Sequence, residues 1–348
     1  MPNIRTRLPI GKLPASLLAE LLARAPLRDP RVRVGPGIGL DCAVLELADT
    51  LLVFKSDPIT FTAEDIGHYA VDINANDIAT TGALPRWFLV TLLLPAGATT
   101  AELAESIFDQ IYDGCRRLGV DVIGGHTEIT HGLDRPVIAG TMVGEVAASG
   151  LVTPRGARPG DRVLLTKGVP IETTAILARE FGERLRGALS AQELDRARGF
   201  LEDPGIGVLG DARTALAAGK VTAMHDPTEG GLRMALWELA QASGRSLYVD
   251  PGAVPVPELA ARVCRVFGLD PLGAIASGAL LLTTPEPHVG AIRLALEGSG
   301  VRCAVIGEVR RGPAGVWLQT PRGIEPMSPP LRDEIARVYE ESSQGSAP

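Results

Sequence analysis

The stretch from Asp65 to Thr81, DIGHYAVDINANDIATT, decides how this chain folds. Spaced at about 100° per residue, its apolar residues cover most of a helix, which predicts an element packed on nearly every side. Asn74, Asp77 and Thr81 nevertheless share an arc of roughly 60° on it. A carboxylate on such a face is costly to bury unless it is paired or bound to a metal. The plainer alternative is a capped or salt-bridged aspartate.

Apolar segments that read as strands flank this helix on both sides. Upstream, Val34-Gly-Pro-Gly-Ile-Gly-Leu-Asp-Cys-Ala-Val-Leu45 is a glycine loop feeding a strand, and an amphipathic helix over Pro14 to Ala25 precedes it. Leu51 to Ser56 is the next strand, with Pro58 expected to end its ladder after Asp57. Downstream come a strand over Trp87 to Leu94 and a helix over Thr99 to Leu118. Thr99 or Thr100 caps that helix and Gly119 stops it. A short strand over Val120 to Gly124 then runs into Gly124-Gly-His-Thr-Glu128, and Pro136 to Val146 completes the first half.

The turn-rich stretch Val152 to Asp161 marks a domain boundary. Residues 1–150 read as one domain, 151–330 as a second and 331–348 as a tail, expected to fray after Val338. The second half has strands over Arg162–Thr166, Ala279–Thr283, Cys303–Val309 and Gly315–Gln319. Its helices lie near Glu172–Phe181, Ala191–Leu201, Leu209–Ala218 and Gly230–Ser243. Strands alternating with helices in both halves give an α/β (α+β) fold of two domains.

Composition narrows the function. The 348 residues carry a net charge of −7, which disfavours a phosphate-backbone binder, and aromatics at 4% supply little base stacking. Neither argues against a nucleotide held through Mg²⁺ on carboxylates. The four cysteines, Cys42, Cys115, Cys264 and Cys303, form no CxxC, so a reducing, cytoplasmic setting is expected. No cleavable leader and no membrane span is predicted.

Several segments place chemistry where strands end or helices begin. Gly35, Gly37 and Gly39 let backbone amides approach an anion just before Asp41. Asp57 follows Ser56 at a strand end, where a solvated turn aspartate is the common alternative. Gly124, Gly125, Thr127 and Glu128 suit phosphate or metal contacts, and His126 among them reads equally well as a turn histidine. In Met224-His-Asp-Pro-Thr-Glu-Gly-Gly-Leu232, Thr228 is a candidate N-cap. His225 and Asp226 stand there beside the positive end of a helix, an anion site or simply a capped start. No GxxxxGK[ST], GxSxG or HExxH occurs.

Taken in order, the glycine loop from Gly35, Lys55-Ser-Asp-Pro58, Asn74-Ala-Asn-Asp77 with Thr81-Gly-Ala83, Gly124-Gly-His-Thr-Glu128 and His225-Asp-Pro-Thr-Glu-Gly-Gly231 resemble the aminoimidazole-ribonucleotide (AIR) synthetase, or PurM-like, superfamily. The resemblance spans roughly residues 10 to 320. Within it, Asp-Pro-Thr-x-Gly-Gly, Ala276-Ser-Gly-Ala-Leu-Leu-Leu282 and Ile306-Gly-Glu-Val309 are most similar to the HypE branch, named for a hydrogenase-maturation protein. The resemblance implies a PurM-like two-domain fold whose N-terminal sheet forms a barrel across a homodimer, closed by a C-terminal α+β domain. It implies ATP bound near the dimer seam by Gly37, Gly39, Ser56, Asn74, Gly124, Gly125 and Thr127. Asp41, Asp57, Asp77 and Asp226 would surround Mg²⁺, and His126, Glu128, His225 and Lys167 are candidates for substrate contact or proton transfer. A small-molecule substrate, and a maturation-protein partner, also follow from it.

The chain departs from the family in three places. Leu40 and His126 stand where an acidic residue is usual. HypE proteins end in a cysteine that carries the group being dehydrated, whereas this sequence ends in Ala347-Pro348 and its last cysteine is Cys303. The expected activity is therefore ATP- and Mg²⁺-dependent phosphorylation or dehydration of a small amide or carbamoyl compound, rather than of its own tail. The alternatives are a non-catalytic nucleotide-binding maturation partner and a kinase resembling thiamine-monophosphate kinase.

Overall fold

The computed structural model describes residues 12–60 and 62–344. Its first half runs α1 (Ala15–Leu22), β1 (Val32–Val34), β2 (Ala43–Leu47), β3 (Thr50–Ile59), α2 (Ile66–Thr80), β4 (Leu84–Pro95), α3 (Ala101–Leu118), β5 (Asp121–Thr130) and β6 (Val137–Ala147). The six strands form one sheet in the order β1-β2-β3-β6-β4-β5. All pairs are antiparallel except β4 with β5, which α3 joins as a crossover.

Helix α2 shows why its sequence is apolar all round. It lies on β3, β4 and β6, is flanked by α3, and is covered by elements of the second half. Every residue from Ile66 to Thr80 except His68 is buried. Helix α3 has the opposite character, one apolar stripe with Ile107, Ile111 and Cys115 inward. The Thr100 hydroxyl accepts from Leu103 N at 3.2 Å to cap it, and Gly119 at φ +68° ends it.

Two local expectations change. Strand β3 does not stop at Pro58: its ladder with β6 continues through Asp57↔Gly140 and Pro58↔Ala139 to Ile59↔Ile138. Beyond Phe54 its other side has no partner strand among the described residues, and a proline is tolerated on such an edge. Likewise Gly124 to Glu128 is no loop but the middle of β5, whose ten residues run to Thr130. Gly125 is required there, since a Cβ on it would lie 1.9 Å from the Val90 carbonyl oxygen, at φ +147°.

The second half adds β7 (Asp161–Thr166), α4 (Ile171–Glu180), α5 (Gly182–Leu185), α6 (Ala191–Arg198), α7 (Leu209–Ala218), β8 (Ala223–His225), α8 (Gly231–Ser243) and β9 (Ser246–Val249). Then follow α9 (Glu258–Phe267), β10 (Leu281–Pro285), α10 (Glu286–Gly298), β11 (Cys303–Arg310), β12 (Gly315–Thr320), β13 (Gly323–Met327) and α11 (Glu334–Gln344). Its sheet has the order β13-β12-β9-β11-β7-β10-β8. Side chains alternate between two faces, as the period of a strand requires. Val163, Leu165 and Leu281 pack with α8, while Leu164, Leu282 and Met224 pack with α7 and α10.

A third apolar cluster ties the halves together. It joins Ile73 and Ala75 of α2 to Ile171 and Ile176 of α4, Val263 of α9, and Ile335 and Val338 of α11. The segment expected to fray after Val338 is thus helical to Gln344; residues 345–348 lie outside the described residues. Among the described residues no helix is long and apolar enough to cross a membrane.

Candidate functional site

A cleft of about 1060 Å³ opens where the glycine loop, the open edge of β3 and the loop before α8 meet. Gly37, Gly39, Asp41, Ser56 and Asp57 line it, with Thr228 and Glu229 from the second half. Gly39 adopts φ +68°, and a Cβ there would lie 2.6 Å from the Glu238 carbonyl oxygen. Glycine is therefore what lets the loop rest directly on α8.

Behind the wall sits a network of charges drawn from both halves. Lys55 Nζ lies 3.2 Å from Asp77 Oδ2 and 3.6 Å from Asp57 Oδ2. His225 stands between two carboxylates, Nδ1 at 3.1 Å from Asp41 Oδ2 and Nε2 at 2.9 Å from Glu238 Oε2. Burial opposes its charge, but Asp41 and Glu238 raise its pKa well above the usual value. Burial alone would also raise Asp41, yet His225, Lys55 and Lys12 hold it well below the carboxylate range.

The remaining aspartates go the other way. Burial raises Asp77 well above its ordinary value, with Asp226, Asp41 and Asp57 adding to the effect and Lys55 opposing it. Asp57 is raised by burial and by Glu229 against the pull of Lys55. Burial pushes Asp226 up to about 6, against the opposing charge of His225. Both Asp226 carboxylate oxygens are buried and accept no well-aligned hydrogen bond among the described residues, Oδ1 lying 4.0 Å from His225 Nδ1. Asp41, His225 and Asp226 each offer a ligand atom within 4.8 Å of one another. Carboxylate oxygens crowded in this way fit a hard divalent cation such as Mg²⁺, which prefers oxygen ligands. Both His225 nitrogens already face carboxylates, so the oxygen donors of Asp41 and Asp226 carry that fit.

The sequence candidates divide into three groups. Gly37, Gly39, Asp41, Ser56 and Asp57 line the cleft, and Asp77, Asp226 and His225 stand behind it. Asn74 is fully buried: its side-chain oxygen accepts from Asp57 N at 3.1 Å and its amide donates to Ala70 O at 2.8 Å. It therefore fixes Asp57 rather than facing the cleft.

Gly124, Gly125, His126, Thr127 and Glu128 all lie on β5, which is exposed along nearly its whole length and forms the sheet's edge. His126 and Glu128, two apart on one face, pair at 3.2 Å in solvent. Lys167 is elsewhere. Its ammonium donates to Gly207 O at 2.6 Å and Gly205 O at 3.3 Å and lies 3.5 Å from Asp211, bracing the loop before α7. Burial lowers its pKa.

Thr228 is not the cap of α8. Gly230 takes that position at φ +83°, and its N–H donates to Asp333 Oδ2 at 2.5 Å. The Thr228 hydroxyl accepts from Lys12 Nζ at 3.3 Å. Leu40, at the usually acidic position, lines the cleft and packs on the joint core.

Sequence reasoning missed Lys12, Lys55 and Glu238. Lys55 sat inside a quoted motif, and its place beside Asp57 on an otherwise apolar strand was the available signal. Glu238 neighbours the inward stripe of α8, which marks it as half-buried. Lys12, 3.4 Å from Glu229, had no signal.

Two domain models account for most of the sequence. The N-terminal domain of AIR synthase related proteins matches residues 39–146, and the C-terminal domain matches residues 158–317. The chain belongs to the AIR synthase related family. Within it the chain stands in the HypE-like branch. The carbamoyl dehydratase HypE of Azotobacter vinelandii is 32% identical over 308 residues, covering 86% of this chain and 85% of that protein. A crystal structure of the hydrogenase maturation protein HypE in complex with ATP superposes with a TM-score of 0.68 at 25% identity, over 90% of both chains. A chain in a crystal structure of a HypE–HypF complex gives a TM-score of 0.73 over 90% of this chain and all of the other, at 20% identity, a likeness of fold. Both share the PurM-like mixed α/β architecture.

Proposed function

We propose that this chain binds ATP with Mg²⁺ in the cleft and uses the γ-phosphate to dehydrate a small carbamoyl or amide compound. The observation that carries the proposal is the convergence of Asp41 and Asp57 on the cleft with Asp77 and Asp226 buried behind them, the Asp226 oxygens accepting no well-aligned hydrogen bond among the described residues. Mg²⁺ held there would neutralise phosphate charge. Glycine-loop amides at Gly37 and Gly39 would cradle the phosphates, and Lys55 and Lys12 add positive charge beside them. Similarity to a carbamoyl dehydratase supports the choice of reaction.

The carbamoyl oxygen attacks the γ-phosphorus and the bond to ADP breaks. The C–O bond then breaks with the oxygen leaving in phosphate, while nitrogen gives up its two protons to solvent and a nitrile remains. His225, held cationic between two carboxylates, keeps Asp41 ionised and oriented; it is a positioning residue.

Residues 1–150 would serve as the nucleotide-binding domain and 151–330 as the domain closing over it. The exposed strand β5, with Ile129 61% exposed, is the expected seam of a homodimer. There Gly124 to Glu128 of one copy would meet the site of the other. A maturation-protein partner fits the same function, and the four buried, unpaired thiols suit a reducing cytoplasm.

The test is to incubate the chain with ATP, Mg²⁺ and S-carbamoylcysteine. Inorganic phosphate together with a product lighter by one water is expected. Phosphate retained on the acceptor would instead identify a kinase, and ATP binding without ADP release a non-catalytic partner.

A further inference from the structure

Lys55 and Asp57 stand two apart on β3, so their side chains leave the same face of the strand. Asp77 reaches the same place from α2. The Lys55 ammonium is shared by the two carboxylates, 3.2 Å from Asp77 Oδ2 and 3.6 Å from Asp57 Oδ2. It is nearly enclosed, its side chain 12% exposed against 2% for Asp77. Both carboxylates are also fixed from behind. The Asn74 side chain accepts from Asp57 N, and the Cys42 thiol donates to the backbone oxygen of Asp77 at 3.3 Å.

The aspartates of the cleft therefore sort into two pairs with different partners. Asp41 and Asp226 have only His225 within ion-pair distance among the described residues. With His225 they form a cluster of possible ligands that takes in neither Asp57 nor Asp77. Asp57 and Asp77 already share a positive charge. An ammonium and a divalent ion do the same work at a buried carboxylate, since each supplies the charge that makes its burial tolerable. They exclude one another, because a metal ion needs the oxygens that the ammonium faces. A tethered ammonium also never dissociates. Leu40, beside Asp41 in the cleft wall, is apolar and adds no oxygen for a further ion.

We infer that Lys55 is a built-in cation: its ammonium holds the place at Asp57 and Asp77 that a second divalent ion would otherwise take, so the chain loads its nucleotide with a single Mg²⁺, on Asp41 and Asp226. This rests on the nucleotide and Mg²⁺ binding proposed above and adds the number of ions and the residue that sets it. Lys55 lines the cleft, so its charge stays beside the phosphates without being drawn from solution. Nucleotide affinity then depends on free Mg²⁺ with the slope of a single ion.

The test counts Mn²⁺, a paramagnetic substitute for Mg²⁺, by electron paramagnetic resonance of the free ion. The full chain is titrated with Mn²⁺ in the presence of one equivalent of a non-hydrolysable ATP analogue. The wild type should take up about one Mn²⁺ per chain, and Lys55→Met, which keeps the length and loses the charge, about two. The double variant Lys55→Met, Asp57→Asn should return to about one, because the second ion loses a ligand. A thermal midpoint raised by the analogue shows that each variant is folded and loaded. Lys55→Gln gives the same reading if Lys55→Met does not fold. A wild type that takes up about two ions overturns the proposal whatever the variants do. Equal uptake by wild type and Lys55→Met, with the analogue bound, overturns it too, the freed carboxylate having taken a proton instead. A double variant that keeps the second ion overturns its placement on Asp57. These results leave nucleotide binding standing; a wild type that binds neither analogue nor Mn²⁺ overturns both.

Discussion

At the scale of single residues, the aspartates of the first half were the legible part of the site. Asp41, Asp57 and Asp77 could be picked out because each interrupts an apolar segment, and an interrupted pattern is visible without coordinates. Their partners were not visible. Lys55 and Glu238 acquire meaning only from what packs against them. Asp226 makes the first prediction. Asp226→Asn should lower Mg²⁺-dependent ATP affinity about 10- to 100-fold while raising the metal-free thermal midpoint, because it removes a carboxylate crowded against Asp41. A variant with unchanged nucleotide affinity would remove Asp226 from the cation site.

Glu172 makes the second. Its pKa is about 8 in the folded chain against an ordinary 4.5, so the folded state keeps a proton that the unfolded state releases. Stability from this group is complete below 4.5 and is lost as pH rises towards 8. Each pH unit in that window costs about 1.4 kcal/mol. Urea unfolding of Glu172→Gln should show the variant gaining on the wild type by that slope from pH 5 to 7.5. A constant difference across the range would mean that Glu172 is ionised in the fold.

At the scale of elements, the helices of the first half were read well, whereas α9, α10 and α11 went unread and strand β5 was read poorly. Thr100 and Gly119 bound α3 by local capping chemistry, which a sequence displays. The pair Gly124-Gly125 reads as a turn by the same local rules, yet tertiary packing makes it strand: Gly125 is small so that β5 can run against β4. Gly125→Ala should therefore detach or distort β5 at a cost on the order of 3 kcal/mol, measurable as a lower thermal midpoint. An unperturbed midpoint would show the close approach to Val90 to be relieved cheaply. For the proposed homodimer, Ile129→Asp should shift the chain to monomer in light scattering without loss of helical signal.

At the scale of the whole molecule, the sequence offers a place to divide the chain but no sign of the adhesion between its halves. Turn residues between Val152 and Asp161 announce a break. The apolar cluster shared by α2, α4, α9 and α11 is non-local, and no window of sequence contains it. It should make the two halves one cooperative unit. Ile176→Ala should cost about 2–5 kcal/mol and still give a single unfolding transition, with Trp87 and Trp317 fluorescence reporting coincident midpoints. Two separated transitions would show the halves to be independent.

One contact has a mechanical consequence. The glycine loop bears directly on the Glu238 carbonyl with no side chain between, and the Glu238 carboxylate grips His225. Helix α8 is thus a rocker beneath the loop. Pressing on the loop tilts a helix whose other face is bolted to the second sheet through Leu232, Ala235 and Leu239. Occupancy of the cleft should then be felt as slower amide exchange along α8, far from any phosphate, and a Gly39→Ala chain should lose that echo along with its nucleotide.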